Sequence, residues 1–234
     1  MKTIAMIPTY NEAGNIESLV KELFELPIDI EVLVVDDFSP DGTYGIVERM
    51  KNEDKRVHLL IRKQNRGRGW AGIDGFNKAL AINADYIVEM DGDGSHSPKF
   101  IPSFIEAANN ADVVIGSRYI TGGKDEKRSF IRQLISTFAR KYLSIVLGVR
   151  ISDPTSGFRM FKRASLKKIT PYLKARDPFI VSEVLFYAKK LKLKVIESPI
   201  EFLKRGSGES KLQVSTLLKY LLRVWKLKFF NDFK

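Results

Sequence analysis

The chain has 234 residues, of which 44% are hydrophobic, and a formal net charge of +11. That length suits one large domain, or one domain with an appendage, built on a real core. The absence of cysteine excludes disulfides and thiolate metal sites, and two histidines, His58 and His96, leave little for a zinc centre. No apolar run approaches the ~20 residues of a membrane span. Met1-Lys2-Thr3 runs straight into a strand-like stretch with no leader pattern, so the expected location is the cytosol.

The positive charge is concentrated. Residues 118–150 and 204–234 each carry eight Lys/Arg against two Asp/Glu, which leaves the remainder of the chain near neutral. Two basic blocks point to a polyanion or to an anionic membrane surface.

In chain order, Thr3 to Ile7 reads as a buried strand, followed by a helix capped by Asn11 or Asn15 and running to about Glu25. Glu31 to Asp36 is a second strand, Thr43 to Lys51 a helix, Val57 to Arg62 a third strand and Gly72 to Ala84 a helix. Tyr86 to Met90 is a fourth strand, Ile101 to Asn109 a helix and Val113 to Ile115 a fifth strand. This alternation predicts an α/β fold, a mostly parallel sheet with helices on both faces. Ligands of such sheets bind beyond the strands' carboxyl ends. Three of those ends carry Tyr10/Glu12, Asp36/Asp37 and Asp91/Asp93, so they are expected to share one rim.

Past Arg118 the pattern changes. Ser129 to Val149 is a long helix with a wide apolar surface, Asp153 to Arg159 a turn-rich loop, Ser182 to Lys190 a helix and Lys194 to Ile200 a strand. A last helix starts near Gln213. It carries Leu217, Leu218, Leu221, Leu222 and Trp225 along one side, with Lys219, Arg223, Lys226 and Lys228 interleaved. That pattern fits a helix lying in a membrane interface and equally a helix packed on the domain with a solvated basic edge.

Asp91-Gly-Asp-Gly94 is the most informative stretch. A turn there brings two carboxylates together, which repel unless a cation lies between them. Hard oxygen ligands suit Mg²⁺ or Mn²⁺ serving a diphosphate. An ordinary polar turn has the same composition. Gly67-Arg-Gly-Trp-Ala-Gly72 matches the dinucleotide fingerprint GxGxxG, but it follows the third strand rather than the first. The basic loop Arg62 to Arg66 suits phosphate or substrate contact instead.

Taken together, Ile7-Pro-Thr-Tyr-Asn-Glu12, Val34-Val-Asp-Asp-Phe-Ser-Pro-Asp-Gly-Thr43, Met90-Asp-Gly-Asp-Gly-Ser-His-Ser-Pro98, Gly116-Ser-Arg-Tyr119, Ser152-Asp-Pro-Thr-Ser-Gly-Phe-Arg159 and Arg205-Gly-Ser-Gly-Glu-Ser-Lys-Leu212 carry a resemblance. The chain resembles family 2 glycosyltransferases of GT-A fold, and within them the dolichol-phosphate mannose synthase type. The resemblance implies an inverting transfer of mannose from GDP-mannose to dolichyl (polyprenyl) phosphate. UDP-glucose or another nucleotide sugar is the alternative donor. A non-catalytic basic protein binding membrane or nucleic acid is the alternative of another class.

By position, the resemblance has Pro8, Tyr10, Glu12, Val35 and Asp37 line the nucleoside, with Gly92 beside the nucleotide. Asp91 and Asp93 hold Mg²⁺ or Mn²⁺, with Ser95 at the third ligand position, where some relatives have glutamine. Arg205 and Lys211 close over the phosphates. Arg118, Arg132 and Ser136 receive the lipid phosphate, Arg118 also touching the nucleotide and counting with Asp91 and Asp93 as catalytic. The implied organisation is a catalytic domain over 1–211, with a membrane-facing acceptor helix at 128–149, and a basic amphipathic helix over 212–234. The implied partners are the two substrates and an anionic membrane surface on its cytoplasmic face, not nucleic acid, with room for a membrane-anchoring protein subunit. Many relatives carry C-terminal membrane spans that this sequence lacks.

Overall fold

The fold comes from a computed structural model that describes residues 1–125, 130–203 and 214–230, the side chains of 130–133 and 214–218 excepted. Seven strands form one sheet: β1 (Thr3–Thr9), β2 (Ile30–Asp36), β3 (Val57–Ile61), β4 (Tyr86–Glu89), β5 (Val113–Ser117), β6 (Arg159–Lys162) and β7 (Val195–Pro199). Their order across the sheet is β3-β2-β1-β4-β6-β5-β7. All pairings are parallel except those of β6, which runs antiparallel to both β4 and β5.

The helices are α1 (Ile16–Phe24), α2 (Thr43–Glu53), α3 (Arg68–Ala81), α4 (Ile101–Ala108), α5 (Phe130–Leu147), α6 (Arg163–Ile169), α7 (Ile180–Lys190) and α8 (Val214–Phe229). Alternation along the strands divides the core. Ile4 and Met6 of β1 face a cluster with Phe76 of α3, Leu143 of α5, Leu166 of α6, Leu185 of α7 and Val224 of α8. Ala5 and Ile7 face the other side, with Leu19 of α1, Val47 of α2 and Phe104 of α4.

Three expectations are corrected. Helix α3 begins four residues earlier than predicted, at Arg68, and ends at Ala81, with Asn83 in the left-handed region that stops it. Glycine's poor helix propensity hid that first turn. Strand β6 and helix α6 were not predicted. The strand is four residues long and follows a turn-rich run, and the helix starts after Lys162, which offers no capping side chain. Asn15 does precede α1, but its amide donates to Glu12 Oε2 at 2.9 Å and caps nothing, while Asn11 takes a left-handed turn.

The C-terminal helix α8 packs on the domain. Val224 is fully buried, Tyr220 Oη lies 2.7 Å from Ser182 Oγ, and Arg223 pairs with Asp177 at 2.5 Å. Leu222, Trp225, Phe229 and Phe230 remain exposed on its other side. No described helix is long and apolar enough to cross a membrane.

The GxGxxG stretch serves packing. Gly69 donates its N–H to Arg176 O at 3.2 Å, and a Cβ there would lie 2.2 Å from Ala175 O and 2.6 Å from Asp177 N. The glycine lets the first turn of α3 touch the backbone that leads into α7. Gly69→Ala is expected to destabilise the fold by about 1–3 kcal/mol through overpacking. Chemical denaturation measures this, and an unchanged midpoint would refute the contact.

Candidate active site

At the carboxyl ends of β1, β2 and β4 lies a cleft of about 420 Å³. Of the residues expected from sequence, Pro8, Tyr10, Glu12, Asp37, Asp91, Gly92 and Asp93 line it, joined by Arg68, Thr155, Gly157 and Val181. The rim at the strand ends therefore holds acids from three loops.

Each acid has its own support. Asp91 donates its N–H to Nδ1 of the buried His96 at 3.1 Å, and its Oδ1 lies 3.6 Å from Arg68 Nη2. His96 stacks on Phe158, and burial pushes its imidazole below the ordinary range, so the ring is a neutral acceptor. Asp93 accepts both the N–H of Ser95 at 3.0 Å and its hydroxyl at 2.5 Å. Gly94 makes the turn between them at φ +75°. Ser95 is fully buried, its hydroxyl turned onto Asp93. That hydroxyl, expected at the third ligand position, hydrogen-bonds the Asp93 carboxylate and positions it.

Glu12 is half-buried, and its carboxyl is raised, first by desolvation and then by the charges of Asp93, Asp91 and Asp41, against a lowering hydrogen bond from Asn15. Carboxylates gathered this closely favour a cation among them. Among the described residues, no cluster of three Asp, Glu, His or Cys side chains is placed to enclose a metal. Asp91 and Asp93 therefore fit an ion that takes two carboxylates and completes its shell with substrate oxygens and water, as Mg²⁺ and its kin do.

At the β2 end, Asp37 is nearly buried. It pairs with Arg62, whose Nε also reaches Asp74 at 2.7 Å, and accepts the Gly67 N–H at 2.6 Å. Arg62 is thus committed to holding the loop rather than a phosphate. Arg66 lies over the exposed Tyr10 ring, 4.9 Å from its centroid. Asp36, next to Asp37, is a buried acceptor for Thr9 and Ser39 and not a cleft residue. Val35 is fully buried in the core, where a Cβ on Gly75 would meet it at 3.0 Å, so its side chain does not line the cleft.

The remaining residues stand beyond the cleft. Arg118 does not line it. Its Nε and Nη2 donate to the buried Asp153 at 2.7 and 2.8 Å, and Nη2 also reaches Thr155 Oγ1 at 3.2 Å on the cleft wall. Arg118 is held protonated by Asp153 despite desolvation. Burial would raise the Asp153 carboxyl, but hydrogen bonds and charge from Arg118 outweigh it and hold it below the ordinary range. Ser136 is half-buried on α5. Arg205, Lys211 and the Arg132 side chain lie outside the described residues.

Sequence reasoning missed Arg68 and Arg159. Arg68 Nη2 donates to Glu89 Oε1 at 2.9 Å beside Asp91. Arg159 is fully buried and donates to Ser156 O, Val181 O and Pro154 O at 2.7, 2.7 and 3.2 Å. The one available signal was two arginines next to strand-forming and turn-forming stretches, which names no partner.

The family model described as Glycosyl transferase family 2 matches residues 4–170. The chain is 37% identical over 213 residues to the undecaprenyl-phosphate mannosyltransferase of Micrococcus luteus, covering 91% of this chain and 88% of the relative. It is 34% identical to the polyprenol monophosphomannose synthase of Mycolicibacterium smegmatis, covering 95% and 85%. It is 37% identical to the dolichol-phosphate mannosyltransferase of Pyrococcus furiosus, covering 97% of this chain and 64% of the relative. Among solved structures, glucosyl-3-phosphoglycerate synthase from Mycobacterium tuberculosis superposes with a TM-score of 0.72 at 17% identity, covering 97% of this chain and 79% of that one. Its complex with Mn²⁺, UDP-glucose and phosphoglyceric acid gives 0.69. The seven-stranded, mostly parallel sheet is thus of the GT-A type.

Removing the carboxylate charge in Asp153→Asn strands Arg118 in a buried setting, with an expected loss of about 3–5 kcal/mol. Because the Asp153 carboxyl is depressed in the fold, its contribution is complete above the unfolded carboxylate range and is lost as pH falls through the folded value. Urea denaturation of both proteins across acid pH checks this. The gap between them should close on acidification, and a gap independent of pH would contradict the pairing.

Proposed function

Because the chain belongs to glycosyl transferase family 2, and is therefore a glycosyltransferase, we propose that it transfers mannose from GDP-mannose to a polyprenyl (dolichyl) monophosphate with inversion at the anomeric carbon. The observation that carries this reading is the single cleft into which the strand ends bring Tyr10, Glu12, Asp37, Asp91 and Asp93, connected by Thr155 to Arg118. The names of the curated relatives support the mannosyl and polyprenyl-phosphate parts.

In this reading Tyr10 offers a ring face to the nucleobase, and Asp37, fixed by Arg62 and Gly67, offers acceptors to its edge. Asp91 and Asp93 would hold Mg²⁺ or Mn²⁺, whose charge, when bound, offsets that growing on the leaving diphosphate. The bond from the sugar's anomeric carbon to the diphosphate oxygen breaks, and its electron pair leaves with the nucleoside diphosphate. A phosphate oxygen of the acceptor forms the new bond from the opposite face. That oxygen is already anionic at neutral pH, so no general base is required. His96 is buried behind Asp91 with its Nδ1 taken by the Asp91 N–H, which agrees with that economy. What the acceptor requires is positive charge to let two phosphates approach. Arg118 answers this at the cleft's edge, and the reading gives Arg132, Ser136, Arg205 and Lys211 their expected parts.

The membrane side of the proposal rests on α5 and α8. Leu134, Phe138 and Ile145 on the first and Leu222, Trp225, Phe229 and Phe230 on the second are exposed, with Lys141, Lys219 and Lys226 among them. Apolar side chains with interleaved lysines suit the cytoplasmic surface of an anionic bilayer, where the lipid acceptor resides. A membrane-anchoring subunit is compatible with the same surface.

Thermal unfolding with GDP or UDP, with and without Mn²⁺, tests the donor half. GDP should stabilise the protein in a metal-dependent manner. A response to UDP alone would move the donor to a uridine nucleotide, and indifference to both would overturn the reading. Asp91→Asn should abolish the metal dependence and lower transfer to a polyprenyl phosphate by about 100-fold or more. Undiminished transfer would remove Asp91 from the site.

A further inference from the structure

We infer that Arg140, on the face of α5 that also carries Ser136, grips the phosphate monoester of the acceptor; this rests on the lipid-phosphate transfer proposed above. The first ground is charge accounting beyond the cleft wall. Arg118 has its carboxylate in Asp153. Asp125 accepts the Tyr119 hydroxyl at 2.5 Å and lies 3.8 Å from Arg118 Nη1. Arg140 has no carboxylate partner among the described residues. Its guanidinium donates only to neutral oxygens, Ser152 O at 3.2 Å and Thr137 Oγ1 at 3.0 Å. Its Nε is buried with no hydrogen-bond partner. A solvated surface arginine would satisfy that donor with water, whereas a half-buried one left with full charge and an open donor is matched to an anion.

The second ground is preorganisation. The guanidinium lies over the Tyr119 ring, its Cζ 3.4 Å from the centroid, and Arg118 flanks the same ring at 5.2 Å. Two arginines on one tyrosine leave little side-chain freedom to lose when an anion arrives. The third ground is position. Residues 136 and 140 stand four apart along α5 and share a face. Tyr119 and Arg118 join that face to Thr155, which lines the donor cleft. A phosphate held there lies on the Thr155 side of the donor cleft.

Steady-state transfer to farnesyl phosphate by the unaltered protein, Arg140→Met and Arg140→Lys tests this. Arg140→Met should raise the acceptor KM about 10- to 100-fold, the worth of a charged hydrogen bond. Donor KM and the GDP–Mn²⁺ thermal shift should stay unchanged. Arg140→Lys, which keeps the charge and loses the fork, should recover only part of the loss. Inorganic phosphate separates headgroup from lipid: it should compete with farnesyl phosphate, and its inhibition should weaken by a similar factor in Arg140→Met. An unchanged acceptor KM in both folded variants, or phosphate inhibition indifferent to the substitution, would overturn the inference alone. Absence of any transfer by the unaltered protein would sink the proposed function and this inference together.

Discussion

Mutual repulsion among carboxylates at the carboxyl ends of β1 and β4 is the constraint around which the rest is arranged. Glu12, Asp91 and Asp93 crowd one small cleft, and the Glu12 carboxyl is raised partly by its two neighbours. Each acid is supported from within the fold. Asp93 accepts the hydroxyl and the N–H of Ser95, the backbone N–H of Asp91 donates to His96 Nδ1, and Arg68 Nη2 pairs with Asp91 Oδ1 at 3.6 Å. Hydrogen bonds fix where the acids point, and carboxylates so gathered suit a divalent cation.

Behind the acids runs a buried ladder of alternating charge. Arg68 bonds Glu89, and Glu89 faces Arg159 across the antiparallel β4–β6 register. Arg159 spends its donors on the carbonyls of Pro154, Ser156 and Val181, which holds the 153–157 loop against the strand ends. Burial pushes the Arg159 guanidinium below its ordinary range, with Glu89 opposing that shift. Such a ladder adds little net stability, since desolvation offsets attraction, and one of its donors, Arg68 Nη1, is buried without a hydrogen-bond partner. The reversed strand β6 makes this possible: running against its neighbours, it delivers the turn-rich loop to the ends of β4 and β5, where Thr155 and Arg118 meet.

The helices past Arg118 are built to another rule. In α5 and α8 one flank is core, with Leu143, Leu147 and Val224 buried, and another exposes large apolar residues beside lysines. A packed helix and an interfacial helix were alternatives on periodicity alone, and α8 satisfies the packing requirement while keeping an apolar outer flank. A surface of this kind is costly in water and favourable against a bilayer.

Much of this was legible in the chain itself. Buried strands wrote themselves as short apolar runs ending in acids, and the alternation with helices placed those acids on one rim. Asp91-Gly-Asp-Gly94 could be read as a cleft stretch because paired carboxylates, a turn and a strand end are local properties. Pairing is not local. Which carboxylate would claim Arg118, that Ser95 would turn onto Asp93, that Val35 would face Gly75 and that Arg68 would reach Glu89 depend on side chains brought together from distant segments. Strand β6 and the first turn of α3 escaped for the same reason: their own propensities are weak, and the flanking strands and the Ala175–Asp177 backbone supply what holds them. Composition and periodicity determined the sheet and its acidic rim, since these follow from burying apolar residues; only the tertiary structure decided which charges are spent on one another and which are left for a ligand, because electrostatic energy depends on distances in space.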